Sequence, residues 1–400
     1  MTMNDFSGFG LSPALMEILT RMNYTTPTPI QMQAIPPALL GKDVLGSAQT
    51  GTGKTAAYAI PLMMKLTQNP RGAALILTPT RELATQVMTV IKQMLGTRST
   101  IQTALLIGGE SMGPQFSQLR NRPRLIIGTP GRINDHLERG TLMLHDASFL
   151  VLDETDRMLD MGFSSQIEKI AKFLPKIRQT LMFSATFPHN ILALSKQYLT
   201  DPVRIQCGES SAPATNITHE TVHTGDANKY DMLIKELSKR EGSIIVFVKT
   251  KRSAERLAIR LNKQHLNAEA IHGDLKQSRR DRVIAAFRDK KHRVMVATDV
   301  AARGLDIPHI EHVINFDLPH APEDYIHRIG RTARAGAQGS AISFISPEDA
   351  GKWRAINQLM NPGAILPREQ RPSSPRPNKN RRHFHARGRD GRQAQAQASA

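Results

Sequence analysis

The chain has 400 residues, 40% hydrophobic and 22% charged, which is material for two or three globular domains at about 150 residues each. Its 53 Lys and Arg against 35 Asp and Glu leave a net charge of +18, which favours polyanionic partners, nucleic acid or an anionic membrane surface. The single cysteine, Cys207, excludes an internal disulfide and a cysteine metal cluster. No apolar run approaches the ~20 residues of a membrane span, and the opening MTMNDFSGFG lacks the basic and apolar regions of a signal peptide. A cytoplasmic protein is expected.

In chain order, short apolar runs recur, each ending in a polar or glycine-containing motif. The first half gives DVLGSAQTGTGKT, ALILTPTRELA, RLIIGTPGR, FLVLDETD and TLMFSATFP; the second gives SIIVFVKTK, VMVATDVAARG, HVINFDLP and AISFISPED. Such runs followed by turn residues predict buried parallel strands. Helical segments are predicted between them, among them Glu82 to Met94 and Arg279 to Arg288. Strand and helix in alternation mean an α/β fold with a parallel sheet, and ligands bind such sheets at the carboxyl ends of the strands, where every one of these motifs falls. The small, polar stretch CGESSAPATN divides the halves, so the expected organisation is a domain over 1–206, a linker at 207–216 and a second domain over 217–366. Residues 367–400 hold nine Lys and Arg against two acids and almost no apolar side chains, which predicts a disordered basic tail.

Two motifs carry the chemistry. The stretch from Ala48 through Gln49, Thr50, Gly51, Thr52, Gly53 and Lys54 to Thr55 follows a strand and opens a helix, close to the phosphate-loop pattern, with alanine where its first glycine stands. Glycines let backbone N–H groups approach phosphate oxygens, and the helix N-terminus adds partial positive charge. Lys54 is expected on the β/γ-phosphates of a nucleotide and the Thr55 hydroxyl on Mg2+. The DETD cluster, Asp153 to Asp156, packs three carboxylates into four positions and needs positive charge to meet. Asp153 is expected to face the hydrated Mg2+, Glu154 to deprotonate the attacking water, and Asp156 to couple rather than ligate. A capping cluster for the following helix is the plainer alternative.

Together these residues resemble the DEAD-box RNA helicases, over roughly Phe6 to Pro347, with the compact core and short basic tail most similar to the bacterial RhlE-type subgroup. The resemblance implies two tandem RecA-like domains, ATP and Mg2+ as cofactors, and ATP-dependent, non-processive unwinding or remodelling of RNA and RNA–protein complexes. It implies that Gln31 in YTTPTPIQ pairs with adenine, that Tyr24 stacks on the base over Phe6, and that Asp306 touches the ribose. An RNA path is implied at Pro79, Thr80 and Arg81, at Gly108 and Gly109, at Thr129, Pro130, Gly131 and Arg132, and at Gly273 and Thr298, reading backbone and 2′-OH rather than bases. Ser184 and Thr186 would link hydrolysis to strand opening, Asp299 and His327 would join the domains, and Arg331 and Arg334 of HRIGRTAR would be arginine fingers among four cations at one strand end.

Three departures from the family pattern stand out. Thr155 replaces the alanine of DEAD and should not touch the metal. Asn23 and Ala333 stand where glycine is common; asparagine tolerates positive φ, whereas at Ala333 a positive φ would cost about 1 kcal/mol. The basic tail is expected to bind RNA without sequence preference and with salt sensitivity, or to be a solubilising segment. An ATP-gated RNA clamp with little turnover is the alternative function. A monomer is the default expectation, and ribosomal precursors or mRNA-decay proteins are fitting partners.

Overall fold

The computed structural model describes residues 5–48, 51–97, 99–207, 216–302, 307, 309–333 and 337–361. Two parallel sheets organise them. The first contains β1 (Val44–Ser47), β2 (Ala73–Leu77), β3 (Thr103–Leu106), β4 (Leu125–Gly128), β5 (Ala147–Leu152), β6 (Gln179–Ser184) and β7 (Val203–Gln206), in the order β3-β4-β2-β5-β6-β1-β7. The second contains β8 (Ile217–His223), β9 (Ser243–Phe247), β10 (Ala268–Ile271), β11 (Val294–Ala297), β12 (Ile310–Asn315) and β13 (Gly339–Ile345), in the order β10-β11-β9-β12-β13-β8. Every neighbouring pair is parallel.

Each sheet is covered by helices on both faces, and period-two alternation sorts its side chains into two cores. In β2, Ala74 and Ile76 enter one cluster and Leu75 and Leu77 the other. In β9, Ile245 and Phe247 enter one, Ile244 and Val246 the other. Each sheet thus has its own double core. Among the described residues no helix is long and apolar enough to cross a membrane.

All nine strands expected from the apolar runs are present, and they are the interior strands of the two sheets. The four that the runs did not announce, β3, β7, β8 and β10, are the sheet edges. The helix expected at Glu82 to Met94 spans Arg81–Leu95, and that expected at Arg279 to Arg288 spans Gln277–Arg288. The expected tail at 367–400 and most of the linker lie outside the described residues.

Asn23 adopts φ 59° and Ala333 φ 57°, so both positions do demand the left-handed region. At Ala333 the residue pays for a Cβ that glycine lacks. Ala333→Gly is therefore expected to stabilise the protein by about 1 kcal/mol, net of the extra unfolded-state entropy. In thermal denaturation this reads as a midpoint higher by roughly 2–4 °C.

Candidate functional site

The carboxyl edge of the first sheet gathers its motifs. After β1 the chain turns through two glycines, Gly51 at φ 84° and Gly53 at φ 87°, into the helix Lys54–Gln68, whose N-terminus no side chain caps. Its first-turn N–H groups are the donors a phosphate accepts. A Cβ at Gly53 would run into the Gln31 amide, so this glycine also serves a close approach. Lys54 is buried and donates from Nζ to the Ala48 carbonyl at 2.6 Å, which keeps its charge within the loop. Gln31, at the third position of the helix Pro29–Leu39, accepts from Thr28 N at 2.9 Å and donates to Gly53 O at 3.0 Å. The expected adenine residue is thereby tied to the phosphate loop. Phe6 is buried and meets half-buried Tyr24 edge-on, centroids 6.1 Å apart. Gln49, Thr50, Asp306 and Arg334 lie outside the described residues.

The DETD carboxylates leave the end of β5. Asp153 accepts from Glu154 N at 2.9 Å and from the Tyr58 hydroxyl at 2.8 Å. Burial first, and the Glu154 charge second, raise its pKa to about 6, against the opposing charge of Lys54. Folded Asp153 therefore binds a proton that the unfolded chain has already lost between about pH 4 and 6. Its contribution to stability is present below that window and lost as pH rises through it. A buried acid that weakens the fold at neutral pH is the mark of a functional group. Glu154 sits at φ 49°, ψ 51°, a left-handed conformation that costs a non-glycine residue about 1–2 kcal/mol. Its Oε2 lies 3.4 Å from Nη1 of Arg157, whose guanidinium is 1% exposed. The Thr155 hydroxyl donates to Leu152 O at 3.2 Å, so the departure from alanine is absorbed locally. Among the described residues no group of three or more His, Cys, Asp or Glu could hold a metal by itself. A dication at Thr55 and Asp153 would share its coordination with phosphates and water, for which an oxygen-only donor pair is suited.

The segment after β6 straps these parts together. Ala185 N donates to Asp156 Oδ2 at 2.9 Å, Ser47 Oγ donates to Ala185 O at 2.8 Å, and Ala48 N donates to Ser184 O at 3.2 Å. One peptide of the SAT motif is thus held by both the phosphate-loop strand and DETD. Ser184 is fully buried and Thr186 half-buried.

A cleft of about 380 Å³ runs beside this site. Pro79, Thr80, Arg81, Gly108, Thr129, Gly131 and Arg132 line it from the first lobe and Gly273 from the second, so eight of the expected RNA residues share one surface. Gly109 (φ 77°) lies against the Arg81 guanidinium, Pro130 opens the helix Pro130–Glu138, and Thr298 is buried just after β11; these three are not in the lining. Arg132 donates to Glu110 O at 3.3 Å. In the cleft wall, Arg280 of the second lobe pairs with Glu82 of the first at 2.6 Å, both nearly buried, and Arg81 donates to Gln277 Oε1 at 3.2 Å.

In the second lobe three of the four HRIGRTAR cations come together at the strand ends: His327, Arg328 and Arg331 line one small pocket with Asp299 and with Phe247 at the end of β9. His327 and Arg328 lie within the helix Pro322–Ile329 and Arg331 follows it. Arg328, 2% exposed, reaches the strand ends, where it holds Asp299 by two bonds of 2.5 and 2.7 Å and donates to Asn315 Oδ1 at 3.0 Å. Its cation also lies over the Phe247 ring. Arg331 donates to His327 O at 3.3 Å and shares a small pocket with His327 and Asp299. Sequence reasoning missed Tyr58 and Arg157, and it gave Glu82 of PTRELA and Arg328 of HRIGRTAR no role of their own. Tyr58 had a signal, sitting one helical turn after Lys54.

Comparisons agree with this geometry. Residues 28–194 match the DEAD/DEAH box helicase family and residues 228–336 the helicase conserved C-terminal domain. The chain is 43% identical over 355 residues to the DEAD-box ATP-dependent RNA helicase CshA of Bacillus subtilis, spanning 88% of this chain and 72% of that one. It is 43% identical over 358 residues to the ATP-dependent RNA helicase CshA of Listeria monocytogenes, spanning 89% and 69%. Among solved structures, S. cerevisiae Dbp5 bound to RNA and ADP BeF3 is similar with a TM-score of 0.80 at 32% identity, over 90% of this chain and 94% of that one.

Proposed function

The chain belongs to the DEAD-box family of ATP-dependent RNA helicases, and on that premise we propose how its residues divide the work. When bound, ATP with Mg2+ supplies the phosphoanhydride that is cleaved. Lys54 and the N–H groups of the loop after β1 hold the phosphates, while Thr55 and Asp153 present oxygens to the dication. Glu154 takes a proton from water, and Arg331 with Arg334 stabilises charge at the transferring phosphoryl group. Gln31 and Tyr24 receive the adenine. The cleft between the lobes takes RNA by its sugar–phosphate backbone, through Arg81, Arg132 and the glycines that let backbone come close. The observation that carries the reading is the buried Arg280–Glu82 pair in the cleft wall. Each partner belongs to a different lobe, so joining the lobes makes the pair and parting them breaks it. Closure on RNA then delivers the fingers to ATP, and hydrolysis reopens the clamp.

The lobe boundaries 1–206 and 217–366 are supported by β7 ending at Gln206 and β8 beginning at Ile217. The RhlE-type placement rests on the compact core and the basic tail, while the relatives named above are called CshA. A monomer acting in the cytoplasm on RNA–protein assemblies, ribosomal precursors or mRNA-decay complexes among them, suits a net charge of +18.

The test is ATP hydrolysis with and without single-stranded RNA, at low and moderate salt, beside separation of a short RNA duplex. RNA-stimulated turnover, weaker as salt rises, is the expected result. ATP-dependent RNA binding without turnover would make the protein a clamp instead.

A further inference from the structure

Tyr58 lies three residues after Thr55 on the helix Lys54–Gln68, which sets both on one face. It is fully buried, its ring tilted against Phe183 at 5.6 Å. Phenylalanine would pack there as well, so the hydroxyl has to be explained by what it bonds. It meets Asp153 Oδ2 at 2.8 Å. A phenol has one proton. An ionised carboxylate can only accept, so that proton goes to Asp153. A carboxylate held at Oδ2 by Tyr58 and at Oδ1 by Glu154 N keeps one orientation.

We propose that Tyr58 is a positioning residue for the dication site: its phenol donates to Asp153 and holds the carboxylate in the one orientation in which it would meet Mg2+. The inference rests on the assignment of Asp153 to the dication made above and adds the group that orients it. Mg2+ tolerates little departure from octahedral geometry and keeps several waters, so alignment of its few protein contacts sets how tightly it is held. Groups behind a metal's ligands contribute about 10–100-fold to metal affinity.

The test is binding of a fluorescent ADP analogue to the full chain across a Mg2+ titration and in EDTA, for wild type, Tyr58→Phe and Tyr58→Leu. Tyr58→Phe is expected to bind as wild type does in EDTA, which also shows that it is folded, and to need about tenfold more Mg2+ for the tight form. Tyr58→Leu should show the same shift. An unchanged Mg2+ requirement in Tyr58→Phe overturns the proposal, as does an equal loss with and without Mg2+, which would make Tyr58 a packing residue only. Wild-type binding that ignores Mg2+ would instead overturn the assignment of Thr55 and Asp153, and this inference with it.

Discussion

Glu154→Gln lowers RNA-stimulated ATP hydrolysis by about 10²–10⁴-fold, the usual worth of a general base, while nucleotide and RNA binding persist. The substitution keeps shape and removes only the ability to take a proton. Its neighbours make the outcome specific. Glu154 is held in the left-handed region, which glutamine must also adopt, so the strain is common to both proteins and cancels. The buried Arg157 cation at 3.4 Å is not common to both: it loses a charge partner, so the thermal midpoint should fall as well. The assay therefore belongs well below that midpoint, where a loss of turnover with intact ATP-dependent RNA binding isolates the chemistry. Turnover within a fewfold of wild type would remove Glu154 from the role of base. It would recast its backbone strain as a device for aiming Asp153, whose Oδ1 takes the Glu154 N–H.

What could be read in the sequence follows a physical division. An interior strand is buried on both faces and must spell itself in apolar residues, as in TLMFS of β6; an edge strand needs only half of that, and β8 reads ITHETVH with mostly exposed positions. The runs therefore located the middle of each sheet and missed the rims. Phosphate loop and DETD were legible because a loop that binds phosphate, or a strand end that presents acids, is built from contiguous residues. The partners were not, since they are distant in sequence: Tyr58 and Asp153 are 95 residues apart, Glu82 and Arg280 198. No local pattern marks Arg328 as the buried anchor of Asp299 rather than a third solvent-facing cation. Backbone strain was half legible. Departures from glycine pointed to Asn23 and Ala333, whereas glutamate carries no preference that would announce φ 49° at Glu154.

Glu82→Ala should uncouple RNA from hydrolysis without unfolding either lobe. Glu82 and Arg280 are 8% and 5% exposed, so removing the carboxylate leaves a guanidinium in the closed cleft whose other acceptors, among the described residues, are the His272 and Ala301 carbonyls. Breaking a buried pair from one side costs about 3–5 kcal/mol, and here the cost falls on the joined arrangement alone, since each sheet has its own double core. At 1.4 kcal/mol per factor of ten, that shifts the closure equilibrium by roughly 10²-fold to several 10³-fold toward open. The expected reading is a large rise in the RNA concentration for half-maximal stimulation, with the thermal midpoint little changed. Adding Arg280→Met to Glu82→Ala removes the stranded charge, and the double variant should recover a large part of the loss, a coupling that only contacting residues show. If Glu82→Ala responds to RNA as wild type does, the pair is incidental to closure. Strictly additive losses in the double variant would mean that the two side chains act on RNA separately rather than on each other.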